Sequence, residues 1–427
     1  MNFKNEIPII FVLTPPVWEK LPPLGQALLT EYLKMNNINS LIYDLNIIIY
    51  HKLPEKFKKD WTINKNYTEK SFFDFCYKNF YEDFYKLLKI INEHKIKFAG
   101  FTVYKSNREF CLQTAQFLKN YNNNLKIIFG GPEVFSMMLE NFANLNYIDY
   151  FVVGEGEIAI LEILKNSNNK IIKFLQLNDI NFFPKYEKFE LLLYTRKNSL
   201  PIITSRGCIN KCNFCFERLL FKGFRTREPE NIIDEILFHY KRNNIRWFTF
   251  YDSIFNANLN LIDNLMNLIL KNDIKIFWDA QISIRKDMEI SLLKKMKKAG
   301  CINLFIGLES ASQKILNLMN KNFTINDAVA FFEKLNKAEL QFEISLIVNY
   351  PGETDDDFNE TLNFIRNNKN LIKKIAQINN FKKYPGTNVE IPLNYDEKIG
   401  EIRINKLLQV IKESNIKFTK SFINNLI

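Results

Sequence analysis

Over its first 165 residues the chain alternates short apolar runs with longer stretches whose apolar positions recur every three or four residues. "IPIIFVLTPP" predicts a buried strand and "PLGQALLTEYLKMNN" an amphipathic helix. "SLIYDL", "KFAGFTVY", "LKIIFGG" and "YFVVGEGE" predict four more strands, with "REFCLQTAQFLKNY" as a helix between the middle pair. Such alternation implies a parallel sheet covered by helices on both faces, so residues 1–165 are expected to form an α/β, doubly wound, Rossmann-like domain. Residues 45–97 interrupt it, and the aromatics of "FFDFCYKNFYEDFYKLLKIINEHK" fall at near-helical spacing. That spacing predicts a helix packed on a core.

From 166 to 198 the periodicity fades in "NSNN" and "LNDINFFPKYEKFELLLY", which predicts an irregular linker. It resumes with six apolar runs, "LPIITS", "RWFTFYDS", "IKIFWDAQIS", "INLFIGLES", "QFEISLIVNY" and "IAQINNF". A helical pattern follows each of the first five. Pro229 suits a first helical position and Gly300 a helix end. Residues 199–390 are therefore expected to form a partial (β/α)6 barrel, with chemistry where strands end and loops begin. Residues 391–427 add a short tail, mainly the helix "IGEIRINKLLQVIKESN".

Composition narrows the picture only a little. At 427 residues and 47% hydrophobic, the chain can bury two cores. Its apolar runs are too short and interrupted to span a bilayer, and its first residues lack the pattern of a secretory signal, so a soluble cytoplasmic protein is expected. The excess of 58 Lys and Arg over 47 Asp and Glu suits an acidic partner in principle, but the lysines are spread along helix faces and no basic run with interleaved aromatics marks a nucleic-acid groove. Cys76, Cys111 and Cys301 stand far apart and read as buried apolar side chains.

Two places carry candidate chemistry. In the first domain Pro15, Pro16, Gly130, Gly131, Gly154 and Gly156 follow strand ends, where backbone can approach a ligand, without the spaced-glycine dinucleotide fingerprint. In the second, "SRGCINKCNFCFE" places Cys208, Cys212 and Cys215 directly after the first barrel strand. Structural zinc calls for four protein ligands, and neither a second cysteine pair nor a nearby histidine is present. A four-iron cluster held by three thiolates fits better, because one iron stays open to another molecule. A zinc-stabilised nucleic-acid-binding module stands as the distant alternative.

The cysteine spacing, with Phe214 as the aromatic before the third, resembles the radical S-adenosylmethionine (SAM) superfamily. "FTFYDSIFNAN", "KKMKKAGCINLFIGLESAS", "SLIVNYPGETDDDF" and "YPGT" are similar to the subgroup with an N-terminal cobalamin (B12)-binding domain. "PPLGQALLTEYL", "YDLN", "FAGFTVY", "IIFGGPEV" and "VVGEGE" resemble that first domain. The resemblance implies a [4Fe-4S] cluster on Cys208, Cys212 and Cys215, cleavage of SAM to a 5'-deoxyadenosyl radical, and a reducing partner such as flavodoxin or ferredoxin. It implies SAM contacts at Phe214, Asp252, Arg285 and Glu309, although relatives place the arginine two positions earlier, where this chain has Ser283. It implies cobalamin against Thr14, Pro15, Thr102, Val103, Gly130, Gly131, Pro132, Glu133, Gly154, Glu155 and Gly156. The Asp-x-His-x-x-Gly motif that offers a histidine to cobalt is absent. The expected activity is methylation of an unactivated carbon, with radical cyclisation or rearrangement, with or without cobalamin, as the alternative. Neither the substrate nor a catalytic acid or base is marked in the sequence.

Overall fold

The computed structural model describes residues 6–140 and 145–419. It divides into two compact units, one within 1–197 and the other essentially from 198 onward.

The first unit is a six-stranded sheet, parallel throughout, in the order β2-β1-β3-β4-β5-β6. The strands are β1 (Ile9–Leu13), β2 (Ser40–Asp44), β3 (Phe98–Thr102), β4 (Lys126–Gly130), β5 (Tyr150–Val153) and β6 (Ile171–Lys173). Their near-continuous apolar runs reflect burial of both faces. Ile10 and Val12 of β1 enter one hydrophobic cluster while Ile9 and Phe11 enter the other. The insertion lies on the first of these faces. Its helices Lys70–Asn79 and Tyr81–Glu93 bring Phe73 and Phe84 to ring-centroid distances of 5.1 and 6.2 Å from Phe110. Those aromatics are core, as their spacing predicts. One expectation is corrected: the supposedly irregular linker contains β6, an edge strand whose three residues alternate exposed, buried, exposed.

The second unit is a seven-stranded sheet in which every pairing is parallel, in the order β15-β14-β13-β12-β11-β10-β7. It comprises β7 (Ser199–Ile202), β10 (Trp247–Phe250), β11 (Phe277–Ile282), β12 (Cys301–Glu309), β13 (Phe342–Val348), β14 (Lys374–Asn380) and β15 (Lys417–Phe418). The six expected strands appear in sequence order, each beside its predecessor, with a helix in every crossover. The tail brings a second correction. After its helix Glu397–Glu413 it returns to the sheet as β15. Residues 420–427 of that tail lie outside the described residues. A small antiparallel pair, β8 (Ser205–Arg206) and β9 (Arg225–Thr226), brackets the cysteine loop. Among the described residues, no helix is long and apolar enough to cross a membrane.

Gly300 ends the helix Ile290–Lys298 with φ +96°, and a Cβ there would sit 2.0 Å from the Ile276 carbonyl oxygen. Both the left-handed backbone and the space exclude a side chain. Gly300→Ala is expected to cost about 2–4 kcal/mol and to lower the thermal transition of this unit by about 5–10 °C. An unchanged melting curve would contradict this.

Candidate functional sites at the strand ends

The cysteine loop begins where β7 gives way to β8, and its base is pinned by two buried side chains. Asp252, just beyond β10, accepts from Thr204 N (3.1 Å), Thr204 Oγ1 (2.7 Å) and Ser205 Oγ (2.5 Å). Its carboxylate is buried and bonded to the strand that leads into the loop. Arg227, just beyond β9, donates to Ile203 O (2.8 Å), to Asn231 Oδ1 and to Glu235 Oε2 (2.5 Å). Its own N–H bonds Thr204 O (2.8 Å). Both stems of the loop are thus tied at one level.

The loop itself is held by amides and carbonyls from other strand-end segments. Asn213 N donates to Met319 O (3.0 Å) and Asn213 Nδ2 to Leu318 O (2.9 Å). Asn320 Nδ2 reaches Lys211 O (2.7 Å), Asn322 Nδ2 reaches Asn210 Oδ1 (3.2 Å), and Asn388 N reaches Asn213 O (3.2 Å). None of the three cysteines is in a disulfide, and Cys208 and Cys215 are partly exposed. Burial pushes the Cys208 thiol up to about 11 and the Cys215 thiol up to about 12. Cys212 is also raised by burial, with Lys321 opposing. Without metal these are thiols at neutral pH, and a bound cation would have to displace their protons. Among the described residues no group of three or more His, Cys, Asp or Glu is arranged around a single ion.

Two charged residues that the sequence reading missed stand with the cysteines. Lys321 lies beyond the helix Gln313–Leu318, 3.3 Å from Glu309 Oε1 and 5.8 Å from the Phe214 ring centroid. Burial opposes its charge, yet Glu309 and the thiols raise its pKa above the usual lysine value. Glu217, two residues past Cys215, accepts from Ser253 Oγ and is raised by burial. Its charge acts on Cys208 and Cys215. The signal for Lys321 is a lysine closing the otherwise neutral helical stretch "ILNLMNK".

The expected SAM contacts divide. Phe214 packs edge-on to Tyr350 at 6.4 Å beside the loop. Glu309 ends β12 with φ +69°, its Oε2 accepting from Ser345 Oγ (3.1 Å). Gly307 makes room for that side chain, since a Cβ there would lie 2.1 Å from Glu309 Oε1. Arg285 turns elsewhere: it donates to Asp287 and to the carbonyls of Asn256 (2.9 Å) and Ala257 (2.7 Å). Ser283, two positions earlier, accepts from Asn210 Nδ2 (3.4 Å).

In the first unit the expected cobalamin contacts lie along the carboxyl ends of β1, β3, β4 and β5, which are consecutive in the sheet. Thr14, Pro15, Val103, Glu133 and Glu155 are buried there. Glu133 pairs with Arg108 at 3.2 Å, and Thr14 Oγ1 contacts Cys111 Sγ at 3.0 Å. Thr102, Gly130, Gly131, Pro132, Gly154 and Gly156 are partly exposed. Gly131 has φ +105°, and a Cβ there would lie 2.7 Å from Val103 O, so the absence of a side chain lets the ends of β3 and β4 pack closely. Asn107, also missed, binds the ends together: its Nδ2 donates to Thr14 O and Thr102 O (both 3.1 Å), and its Oδ1 accepts from Tyr104 N (2.7 Å). The three histidines lie on or beside helices: His51 bonds Leu193 O, His239 bonds Asn243, and His94 is exposed.

Residues 202–365 match the Radical SAM superfamily and residues 68–164 the B12 binding domain, together more than half of the chain. An uncharacterized methyltransferase of Pyrococcus horikoshii is 27% identical over 330 residues, covering 71% of each chain. The anaerobic magnesium-protoporphyrin IX monomethyl ester cyclase of Rubrivivax gelatinosus is 23% identical, covering 62% of this chain and 52% of its own. Among solved structures, the cobalamin-dependent S-adenosylmethionine radical enzyme OxsB superposes with a TM-score of 0.66 at 17% identity, over 96% of this chain and 56% of that one. The radical S-adenosylmethionine methyltransferase TsrM of Kitasatospora setae gives 0.63 at 15%, over 87% and 72%. These likenesses show a shared fold. This chain spans little more than half the length of two of the four proteins.

Proposed function

The chain belongs to the radical S-adenosylmethionine superfamily, in the group with a B12-binding domain ahead of the radical SAM domain, and on that footing we propose that it methylates an unactivated carbon. The two domains imply a [4Fe-4S] cluster, SAM and cobalamin, which together supply reductive cleavage of SAM and a methyl group to transfer. Cys208, Cys212 and Cys215 hold three irons and leave the fourth for SAM. Lys321, the cation beside the thiols, takes the methionyl carboxylate in place of Arg285, whose guanidinium is already engaged. Glu217 takes the methionyl ammonium in place of Asp252, which holds the loop base instead. Glu309 accepts from ribose hydroxyls and Phe214 lies against adenine. In the first unit, Thr102, Gly130, Gly131, Pro132, Gly154 and Gly156 would receive the corrin.

The observation that carries this reading is the meeting of three unpaired thiols, a partly buried lysine and its glutamate partner at the carboxyl edge of a parallel sheet. Anaerobic reconstitution with iron, sulfide and hydroxocobalamin, followed by turnover with candidate acceptors, tests it. Methylation yields 5'-deoxyadenosine and S-adenosylhomocysteine together. 5'-Deoxyadenosine alone would point to cyclisation or rearrangement, and one colourless zinc would end the enzymatic reading. For Lys321, replacement by methionine is expected to raise KM for SAM about tenfold with little change in kcat, and Lys321→Arg to restore most of it. Equal KM values for wild type and Lys321→Met would refute the assignment.

A further inference from the structure

The segment just ahead of the tail helix Glu397–Glu413 is folded onto the ends of two neighbouring strands of the second unit, β13 and β14. Tyr395 N closes a turn on Pro392 O (3.0 Å). The Tyr395 hydroxyl shares its proton between Asn349 O (3.0 Å), just past β13, and Phe381 O (3.2 Å), just past β14. Burial pushes that hydroxyl up to about 12, so it stays a donor at neutral pH. Asn349 answers with its Nδ2, which donates to Asp396 O (3.0 Å). One side chain ahead of the tail helix thus clamps both strand ends.

From this clamp a row of rings leads to the cysteine loop. Tyr395 meets Phe381 with ring centroids 6.5 Å apart, Phe381 meets Tyr350 at 4.9 Å, and Tyr350 meets Phe214 at 6.4 Å, each pair edge-on. Tyr350 and Phe381 are buried in one cluster with Ile315, Met319 and Val389, while Phe214 is partly exposed at the far end. The row is tied to the loop a second time, because Leu318 O accepts from both the Tyr350 hydroxyl (3.4 Å) and Asn213 Nδ2 (2.9 Å). Edge-on pairs favour particular orientations, so a ring at the end of a packed row takes its tilt from those behind it.

We propose that Tyr395 is a positioning residue for SAM, which holds Phe214, by way of Phe381 and Tyr350, at the tilt that receives the adenine. The inference rests on the reading of Phe214 as the adenine contact, and adds to it a residue that acts only through two others. The hydroxyl fixes the strand ends, and the strand ends fix the rings.

The test uses the iron-loaded full chain, with equilibrium dialysis of radiolabelled SAM against the oxidised protein and, separately, SAM cleavage driven by dithionite. Tyr395→Ala is expected to raise Kd and KM for SAM about fivefold with kcat within about twofold of wild type. Tyr395→Phe keeps the ring, loses both hydroxyl bonds and raises Kd about twofold. In a Phe214→Ala background, Tyr395→Ala adds less than about 1.5-fold, since the ring it acts on is gone. Gly300→Ala, at the amino end of β12 and destabilising in its own right, keeps the wild-type Kd. Backbone hydrogen exchange of residues 209–216 rises in Tyr395→Ala and stays at the wild-type rate in Gly300→Ala. An unchanged Kd in Tyr395→Ala, an equal rise in the Phe214→Ala background, or the same rise in Gly300→Ala would each overturn the proposal. Absence of SAM binding by wild type would instead refute the enzymatic reading, and the exchange of the loop would still decide whether Tyr395 holds it.

Discussion

Replacing any one of Cys208, Cys212 and Cys215 with alanine is expected to abolish SAM cleavage and to lower anaerobically reconstituted iron from about four per chain to below one. The reason lies in the count of ligands. A cube anchored by three thiolates has no spare protein ligand, and the loop sequence "SRGCINKCNFCFE" holds neither a fourth cysteine nor a histidine. The loop offers no substitute. Cys76→Ala serves as the control, because Cys76 is fully buried in the hydrophobic cluster of the first unit and bears on no iron. Iron and sulfide analysis with quantification of 5'-deoxyadenosine checks both. A single-alanine variant that keeps four irons and full cleavage would remove the basis of the proposed function.

The second large effect is one of stability. Arg227 and Glu235 have side chains only 1% and 2% exposed, and Arg227 also satisfies Ile203 O and Asn231. Arg227→Ala leaves a carboxylate in the core without its partner, at an expected cost of about 3–5 kcal/mol and a fall of about 10 °C in the thermal transition. The loss depends on pH. In the variant, burial alone acts on Glu235 and raises its folded pKa above the unfolded value. Below the unfolded value both states are protonated and no ionisation penalty arises; as pH rises toward the folded pKa, the unfolded chain releases a proton that the folded chain retains, and stability falls. The variant should therefore lose less stability at pH 5 than at pH 8. Calorimetry at the two pH values decides it, and a deficit that grows toward acid would show that Glu235 does not carry the effect. Because the same arginine levels the two stems of the cysteine loop, iron retention is expected to fall with it.

The long strands of the first sheet are legible in the sequence because burial of both faces writes them as near-continuous apolar runs, and in the second sheet β10 and β11 show instead an alternation of buried and less buried positions. β6 and β15 are not legible. Three residues reading "IIK" and two reading "KF" carry no periodicity, and both Lys417 and Phe418 are exposed. Their place is set by neighbours in space. The cysteine loop is legible from spacing alone. The acids are harder: an aspartate at a strand end looks the same in sequence whether it faces a ligand or, as Asp252 does, ties down the preceding strand. Lys321 escapes for a related reason. It is twelve positions beyond Glu309, across a helix, and only the fold makes them a pair.

Between its two stems, which Asp252 and Arg227 hold, the cysteine loop is tied by asparagine side chains and peptide groups, namely Asn210, Asn213, Asn320, Asn322 and Asn388. Amides neither gain nor lose a proton between mildly acidic and mildly alkaline buffers, and ionic strength barely touches them. The cradle should hold its contour through changes of medium that would alter a scaffold built from ion pairs, leaving acidity and salt to act on the lysine-studded exterior.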